Sequence, residues 1–233
     1  MKFTNTEVWG FEHAIRGMRN PMNSWDKSDS HYAEVENESG AHNLEYLIGS
    51  DDLELMQKLI QAGPEHRKFM RQIFVSVDIT APLYWFSEFD TYKVGTVANS
   101  TSKMHKLATT PITLSCFETD DFEEFSVGIG EIISPKTIID YCEKLRQRYL
   151  QTKDKKYWKE LIRWLPESWL QTRTVTMNYE NLLGMCGKGQ RRFHKLNEWS
   201  GIDNPNLTNF ISWVRQLPYA QELIFIDEVS NND

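Results

Sequence analysis

The chain has 233 residues, of which 40% are hydrophobic and 12% aromatic, so it can bury a substantial core as one large domain or two small ones. Its formal net charge of −7 argues against broad binding to nucleic acid or to a membrane surface, because phosphate-rich surfaces attract basic proteins. The three cysteines are widely spaced, which favours reduced thiols over a disulfide framework or a zinc site. The sequence shows neither a signal peptide nor a stretch of about 18 apolar residues, so we expect a cytoplasmic protein without a membrane span.

Residues 20–43 form the most polar segment of the chain. We predict a long loop there, which is either a binding element or a solvated excursion of the surface. A helix follows, because Asp51-Asp52 can cap a segment with an apolar stripe that ends at Gly63-Pro64. Residues 64–72 predict another short helix.

The middle of the chain predicts a strand followed by a polar strip. Residues 73–80 alternate apolar and polar side chains and are rich in β-branched residues, which is typical of a half-buried strand. Pro82 suits the first turn of a helix that extends to about residue 90. Aromatic, acidic and hydroxyl side chains then crowd together as far as Ser102, a mixture that indicates a binding site more than an ordinary core segment.

The C-terminal half predicts mainly helices. They cover residues 138–149, 158–165, 175–185 and 207–216. In the first of them, which starts after Ser134-Pro135, one face is expected to hold Ile138, Cys142, Leu145 and Tyr149. Strands near the middle with helices around them give an α+β fold with a central antiparallel or mixed sheet, and we expect residues 1–233 to form a single domain.

Familiar catalytic motifs do not occur in the sequence. It has no Gly-x-Ser-x-Gly element, Walker A loop, His-Glu-x-x-His pair or dinucleotide-binding glycine motif. The six histidines show no metal-ligand spacing, so we expect no metal. Arginines near amides and hydroxyls, among them Arg163 and Arg215, suit phosphate oxygens. Each arginine alone is more simply explained as surface charge, and only their joint pattern indicates an anionic ligand.

Several elements occur in an order that resembles the flavin-dependent thymidylate synthases. The residues that carry the resemblance are Ala81-Pro82, Tyr84-Trp85-Phe86, Asn99-Ser100-Thr101-Ser102, Arg163, Leu165-Pro166, Thr172-Arg173, Asn178, Arg215 and Ala220-Gln221. Their order and most of their spacings agree over about residues 65–222, apart from an insertion at about residues 184–206. The resemblance implies the family's α+β fold, FAD as cofactor, a pyrimidine deoxynucleotide as ligand and a homotetramer with sites between subunits.

The resemblance also implies two sets of site residues. The substrate-binding set is Arg215, Ser102, Lys103, Arg163, Gln221 and Asn99. Within it, Arg215 resembles the arginine that holds the nucleotide, and Ser102 resembles a hydroxyl that contacts phosphate. The cofactor-binding set is Lys68, Arg71, Glu88, Asp90 and Asn178. The catalytic residues are not identified.

The charges of the chain depart from the family pattern. Ser87-Glu88-Phe89-Asp90 stands where the family has Arg-His-Arg, which meets the flavin and the nucleotide. Lys68 and Arg71 stand where the family has Thr-x-x-Glu, and Glu180 stands where it has an arginine. We therefore expect weak or absent binding of FAD.

The acidic strip predicts an ion pair. Two carboxylates beside several rings are costly to bury alone, so we expect Glu88 or Asp90 to pair with a cation. The leading candidates for the cation are Arg71, Lys93 and Lys103. The alternative is that both carboxylates face water.

Two functional hypotheses stay open. The first is an enzyme that acts on a pyrimidine deoxynucleotide, with one-carbon transfer to the base. The second is a nucleotide-binding or protein-interaction module that kept the scaffold and lost the flavin. The missing basic triplet favours the second, whereas the ordered polar clusters favour a ligand of some kind.

Overall fold

A computed structural model describes residues 1–36, 40–92, 94–120, 123, 125–128, 131–187, 189 and 192–229. Lys93, one of the expected partners of the acidic strip, lies outside these residues. Within the part of the chain so described, no helix is both long enough and apolar enough to cross a membrane.

The fold is α+β, as the sequence predicts. Its strands are β1 (Lys2–Trp9), β2 (His31–Glu36), β3 (His42–Leu47), β4 (Phe74–Pro82), β5 (Val97–Ser100), β6 (Phe125–Gly128), β7 (Glu131–Ile133) and β8 (Leu170–Asn178). Its α-helices are α1 (Phe11–Arg19), α2 (Ser50–Gln61), α3 (Leu83–Phe89), α4 (Lys103–Lys106), α5 (Pro135–Thr152), α6 (Lys155–Trp164), α7 (Tyr179–Cys186), α8 (Asn197–Ser200), α9 (Phe210–Val214), α10 (Ala220–Leu223) and α11 (Ile226–Val229). Short 3-10 helices cover Asn20–Met22, Trp25–Lys27, Arg67–Gln72, Asp90–Tyr92 and Leu114–Cys116.

The chain divides into two compact units, each made of several segments. Unit 1 consists of Met1–Phe3, Asp78–Thr91 and Ala98–Thr174. Unit 2 consists of Thr4–Val77, Tyr92–Val97 and Val175–Asp233. The expectation of a single domain stays a prediction.

A four-stranded sheet has the strand order β1-β4-β8-β5. Thr80 and Thr172 share a hydrogen bond of 2.8 Å, and Thr174 donates to Asp78 at 2.5 Å, so residue numbers rise along β4 as they fall along β8. These two strands therefore run antiparallel. The opposite face of β4 is buried, through Val75, Val77, Ile79 and Ala81. The half-buried strand predicted from the alternation is confirmed.

The loop predicted over residues 20–43 is wrong for its second half, which forms a β-hairpin. β2 and β3 pair antiparallel, from His31 opposite Leu47 to Glu36 opposite His42. Most side chains of both strands are exposed. Because neither face of the hairpin is mainly apolar, the sequence lacks the strict alternation that indicates a strand.

The first half of the same segment anchors α2. Asp29 accepts hydrogen bonds from the backbone N–H groups of Asp51 and Asp52, at 2.9 and 3.0 Å. The side chain that caps the helix is therefore that of Asp29, and the prediction that Asp51-Asp52 caps it is wrong. Asp52 is fully buried and accepts hydrogen bonds of 2.6 Å from Arg19, Ser28 and Ser30. Hydrogen bonds to the buried carboxylate of Asp52 therefore hold this polar segment in place.

The helix predicted over residues 175–185 begins later than expected. Val175 and Met177 are buried while Thr176 between them is less so, which is the period of a strand, and these residues are the end of β8. Asn178 then caps α7, because its side chain accepts from the backbone N–H of Asn181.

The helix after Ser134-Pro135 is confirmed as α5, and Cys142 and Leu145 of its predicted face are buried, but Ile139 takes the place of Ile138. Ile139 and Cys142 pack with Leu161 of α6 in a core cluster of unit 1. Ile138, which the sequence places on the buried face, is 48% exposed.

Candidate functional site

In unit 1, the acidic strip is held by an arginine of β8. Arg173 Nη1 donates to both carboxylate oxygens of Asp90, at 3.0 and 3.1 Å. The guanidinium also lies over the ring of Phe86, with its Cζ atom 3.9 Å from the ring centroid. The expected ion pair is confirmed for Asp90, but its partner is Arg173, which the sequence analysis did not propose.

The same arginine connects Asp90 to the polar strip after β5. Arg173 Nε donates to Gln171 Oε1 at 3.0 Å, and Gln171 Nε2 donates to the carbonyl of Thr101 at 2.8 Å. The next residue, Ser102, caps α4 with its hydroxyl, which accepts from a backbone N–H at 3.2 Å. Hydrogen bonds through Arg173 and Gln171 therefore connect Asp90, of the predicted cofactor-binding set, to the carbonyl of Thr101. Thr101 directly precedes Ser102, of the predicted substrate-binding set.

The other predicted residues of unit 1 occupy separate elements. Asn99 is exposed in β5, Lys103 begins α4, and Glu88 lies in the last turn of α3. Arg163 is 58% exposed on α6 and pairs with Glu160 of the same helix at 2.9 Å. Asn99 and Lys103 flank the polar strip in sequence, whereas Arg163 is engaged in a surface pair of its own helix.

In unit 2, Arg71 forms an ion pair with Glu180. Arg71 donates to both carboxylate oxygens through Nε and Nη2, and Arg67 Nε donates at 3.4 Å. Burial acts to raise the pKa of Glu180, but the hydrogen bonds from Arg71 and Arg67 outweigh it and hold the pKa below its ordinary value. Glu180 is therefore ionised at neutral pH and neutralises Arg71.

The Arg71–Glu180 pair lines an open cavity of about 520 Å³. Asn178 and Asn181 also line it, and they form the capping box of α7, in which Asn181 N donates to Asn178 Oδ1 at 2.9 Å. Asn181 Nδ2 donates to the carbonyl of Val94 at 2.7 Å. This cavity brings together Arg71 and Asn178 of the predicted cofactor-binding set.

Lys68, which the sequence groups with Arg71, lines a different cavity of unit 2. That cavity has a volume of about 690 Å³ and is also lined by Met22, His66 and Phe69. The two basic residues that replace the family's Thr-x-x-Glu thus belong to two separate cavities.

A third cluster of unit 2 surrounds Arg215. Its Nη1 and Nη2 atoms donate to the two carboxylate oxygens of Glu228 at 2.7 and 2.8 Å, and Nη1 lies 3.3 Å from Gln221 Oε1. The guanidinium Cζ lies 4.1 Å from the ring centroid of Phe225. Hydrogen bonds from Arg215 lower the pKa of Glu228 to about 2. The structure therefore joins the predicted pair Arg215 and Gln221, with a carboxylate bound in the arginine fork.

A second arginine stabilises the same carboxylate. Arg192 is 7% exposed and donates to Asp227 at 2.6 Å, to Glu228 at 2.7 Å and to the carbonyl of Cys186 at 2.9 Å. Helix α11, which carries both acids, is thus held by two arginines.

Metal-ligating side chains and cysteine thiols are a further set of reactive groups to locate. Among the residues that the structure describes, no group of three or more His, Cys, Asp or Glu side chains is placed to hold a metal ion. Burial raises the pKa of Cys142 to about 11, and it also raises the pKa of Cys186. These two thiols are therefore protonated at neutral pH and are poor nucleophiles.

Sequence reasoning missed the partners of the predicted residues. Arg173 stood in the matched Thr172-Arg173 step, and Glu180 stood out as a departure from the family, so both were visible as signals. Arg192 lies in the insertion and Glu228 lies beyond the matched region, so the resemblance gave no indication of either.

No protein-family model and no curated protein matches the chain. Solved structures do match. The flavin-dependent thymidylate synthase ThyX from Helicobacter pylori, complexed with FAD and dUMP, aligns with a TM-score of 0.63 and 16% identity, over 97% of this chain and 99% of that one. A second structure of ThyX from Helicobacter pylori with FAD and dUMP gives a TM-score of 0.62 and 16% identity, over 97% and 98% of the two chains. A UMP/dUMP methylase, PolB from Streptomyces cacaoi, gives a TM-score of 0.49 and 11% identity, over 79% and 75%.

The TM-score of 0.63 with the Helicobacter pylori enzyme establishes a likeness of fold. Because the identity is only 16%, the chemistry has to be argued from the residues of this chain. The likeness extends over nearly the whole of both chains. The resemblance read from the sequence is thereby confirmed for the architecture: this chain has the fold of the flavin-dependent thymidylate synthases.

Proposed function

We propose that this protein binds a pyrimidine deoxynucleoside monophosphate, with Arg215 and Gln221 at its phosphate. The observation that supports the proposal is the 3.3 Å contact between these two side chains, which the sequence resemblance assigns to the nucleotide. The Helicobacter pylori enzyme that shares the fold was solved with dUMP. Ser102, Lys103, Asn99 and Arg163 stay in the proposal as further substrate contacts, and they rest on the resemblance, as does the expected homotetramer.

The nucleotide phosphate is proposed to replace Glu228 at Arg215. The guanidinium is already oriented, because Phe225 lies against its face and two Nη atoms point at a pair of oxygens. A phosphate monoester offers a similar pair of oxygens with a greater negative charge. Arg192 also binds Glu228, so it remains available to hold the displaced carboxylate.

The residues expected to face FAD do not fit that cofactor. FAD carries a diphosphate, which binds best to cations or to free backbone N–H groups. Arg71 is the single Lys or Arg among the described residues that line the cavity of Asn178, and its Nε and Nη2 atoms are bound to Glu180. The carboxylate of Glu180 also repels a phosphate. We therefore propose that the nucleotide binds without a tightly held flavin.

This charge arrangement favours the second of the two functional hypotheses, a nucleotide-binding module without catalysis. By the resemblance, one-carbon transfer to the base depends on reduced flavin, so loss of the flavin removes that reaction. One-carbon transfer is the alternative, and purified protein that carries stoichiometric FAD would restore it.

Calorimetric titration of dUMP and dCMP into the purified protein tests the proposal. Arg215→Ala should weaken binding by about 1.5 to 3 kcal/mol, the range of a hydrogen bond to a charged group. Arg148→Ala is the matched control, because Arg148 is an exposed arginine of α5 outside the proposed site. Unchanged affinity in Arg215→Ala, or no binding of either nucleotide by the parent, contradicts the proposal.

A further inference from the structure

An aromatic cavity in unit 2 is separate from the residues assigned to the nucleotide. It has a volume of about 590 Å³ and lies where the end of β1 and the start of α1 meet the β2–β3 hairpin and the segment around Tyr219. None of the predicted substrate-binding or cofactor-binding residues lines it. Its volume suits a small organic molecule.

Five aromatic rings form the walls of this cavity: Trp9, Phe11, Tyr32, Tyr46 and Tyr219. Tyr32 and Tyr46 face each other across the hairpin with ring centroids 5.0 Å apart, and Phe11 and Tyr219 lie 5.5 Å apart. Both pairs are edge-to-face, so the rings meet at an angle and enclose a space. Trp9 is 44% exposed and Tyr32 is 52% exposed, so these ring surfaces are open to a ligand.

The charge of the cavity is negative. Glu12 and Glu45 line it, and none of its described lining residues is Lys or Arg. The hydroxyl of Tyr32 donates to one oxygen of Glu12 at 2.9 Å, which fixes the carboxylate beside the rings. Burial, and then the negative charges of Asp52 and Glu12, hold the pKa of Tyr46 above its ordinary value. The carboxylates of Glu12 and Glu45 therefore lie beside the aromatic walls.

We propose that this aromatic cavity binds an organic cation, a molecule that carries a quaternary ammonium or a protonated amine on an apolar body. Ring faces attract such cations through their quadrupoles, and a nearby carboxylate adds to the attraction. A bare metal ion is a poorer match, because hard cations need six or more oxygen ligands, whereas the walls here are mainly rings. A nucleotide is excluded by its own charge, since Glu12 and Glu45 repel a phosphate.

The test compares choline with its neutral carbon isostere, the alcohol in which a tert-butyl group replaces the trimethylammonium group. Binding of each to the full chain is followed by ligand-observed NMR titration. We expect choline to bind about tenfold more tightly than the isostere, because the two differ only in the charge that the rings attract. Equal affinity for the two molecules, or no binding of choline, overturns the proposal.

Two matched pairs of variants locate the binding. Glu12→Gln should weaken the binding of choline about three- to tenfold and leave the binding of the isostere unchanged. Its control is Glu7→Gln, which makes the same charge change at an exposed residue of β1 outside the cavity and should alter neither affinity. Tyr32→Leu removes a ring and should weaken choline by a similar factor, whereas Tyr32→Phe keeps the ring and should bind it. Equal losses within either pair contradict the proposal, and neither outcome depends on nucleotide binding.

Discussion

Replacement of Glu228 by glutamine is expected to strengthen nucleotide binding while it weakens the fold. The carboxylate accepts hydrogen bonds from Arg215 at 2.7 and 2.8 Å and from Arg192 at 2.7 Å. Glutamine keeps the shape of the side chain and one acceptor oxygen, but it has no charge. Arg215 then becomes available to a phosphate, and the attachment of α11 becomes weaker.

The size of the effect follows from the pKa of Glu228, which falls from 4.5 to about 2. One unit corresponds to about 1.4 kcal/mol, which gives about 3 kcal/mol before screening by solvent. Because the side chain is 33% exposed, we expect about 1 to 2 kcal/mol of folding free energy, and a gain of the same size in nucleotide affinity, or about five- to thirtyfold.

The sign of the pH dependence is fixed by the direction of the shift. A carboxylate whose pKa is lowered in the folded state stabilises that state fully above its ordinary pKa of 4.5, and this contribution is lost as the pH falls toward about 2. The parent and Glu228→Gln should therefore differ in stability at neutral pH and converge in acid. Urea unfolding at neutral pH and at about pH 3 measures the difference.

Glu143→Gln is the matched control. The pKa of Glu143 is also lowered to about 2, mainly by hydrogen bonds from Arg146, and the pair lies in unit 1 outside the proposed phosphate site. This variant should lose stability without any gain in dUMP affinity by calorimetry. If Glu228→Gln loses stability but binds dUMP no more tightly than the parent, the proposed competition at Arg215 is wrong.

The remaining predictions concern the buried and the reversed ion pairs of unit 2. Asp52→Ala should lower the free energy of unfolding in urea by about 3 to 5 kcal/mol, because it leaves the buried guanidinium of Arg19 without its carboxylate. A loss within about 0.5 kcal/mol of zero would show that the Asp52 network contributes little. Arg71→Glu and Glu180→Arg should each destabilise the protein, and the double variant should recover part of the summed loss in a double-mutant cycle. Additive losses would show that the two departures from the family are unrelated.

Local patterns in the sequence predicted the elements that bury an apolar face. The alternation before Ala81 gave β4, and the apolar stripe after Asp52 gave α2, because each element packs one regular face into the core. The β2–β3 hairpin was not predictable in this way, since its ring pair of Tyr32 and Tyr46 stands among exposed polar residues. Its position is set by tertiary contacts that leave no periodic trace in the sequence.

The positions of the candidate site stay a prediction, and the pairings among its residues were not predictable from the sequence. The order of the motifs led to Arg71, Asn178 and Arg215, because the resemblance preserves spacing along the chain. The ion pair of Arg71 with Glu180 joins residues 109 apart in sequence, and no local rule predicts such a contact. The sequence analysis instead proposed Arg71 as a partner of Glu88 or Asp90, and it noted Glu180 only as a departure from the family.

The central claim is that the fold binds a pyrimidine deoxynucleotide without a tightly held flavin. Its most direct test compares the binding of dUMP in the absence and in the presence of FAD. The visible spectrum of the purified protein is recorded first, and dUMP is then titrated by calorimetry without FAD and again with FAD in excess. We expect a colourless protein and the same dUMP affinity in both titrations. A yellow protein with stoichiometric FAD, or dUMP binding that occurs only when FAD is added, would contradict it.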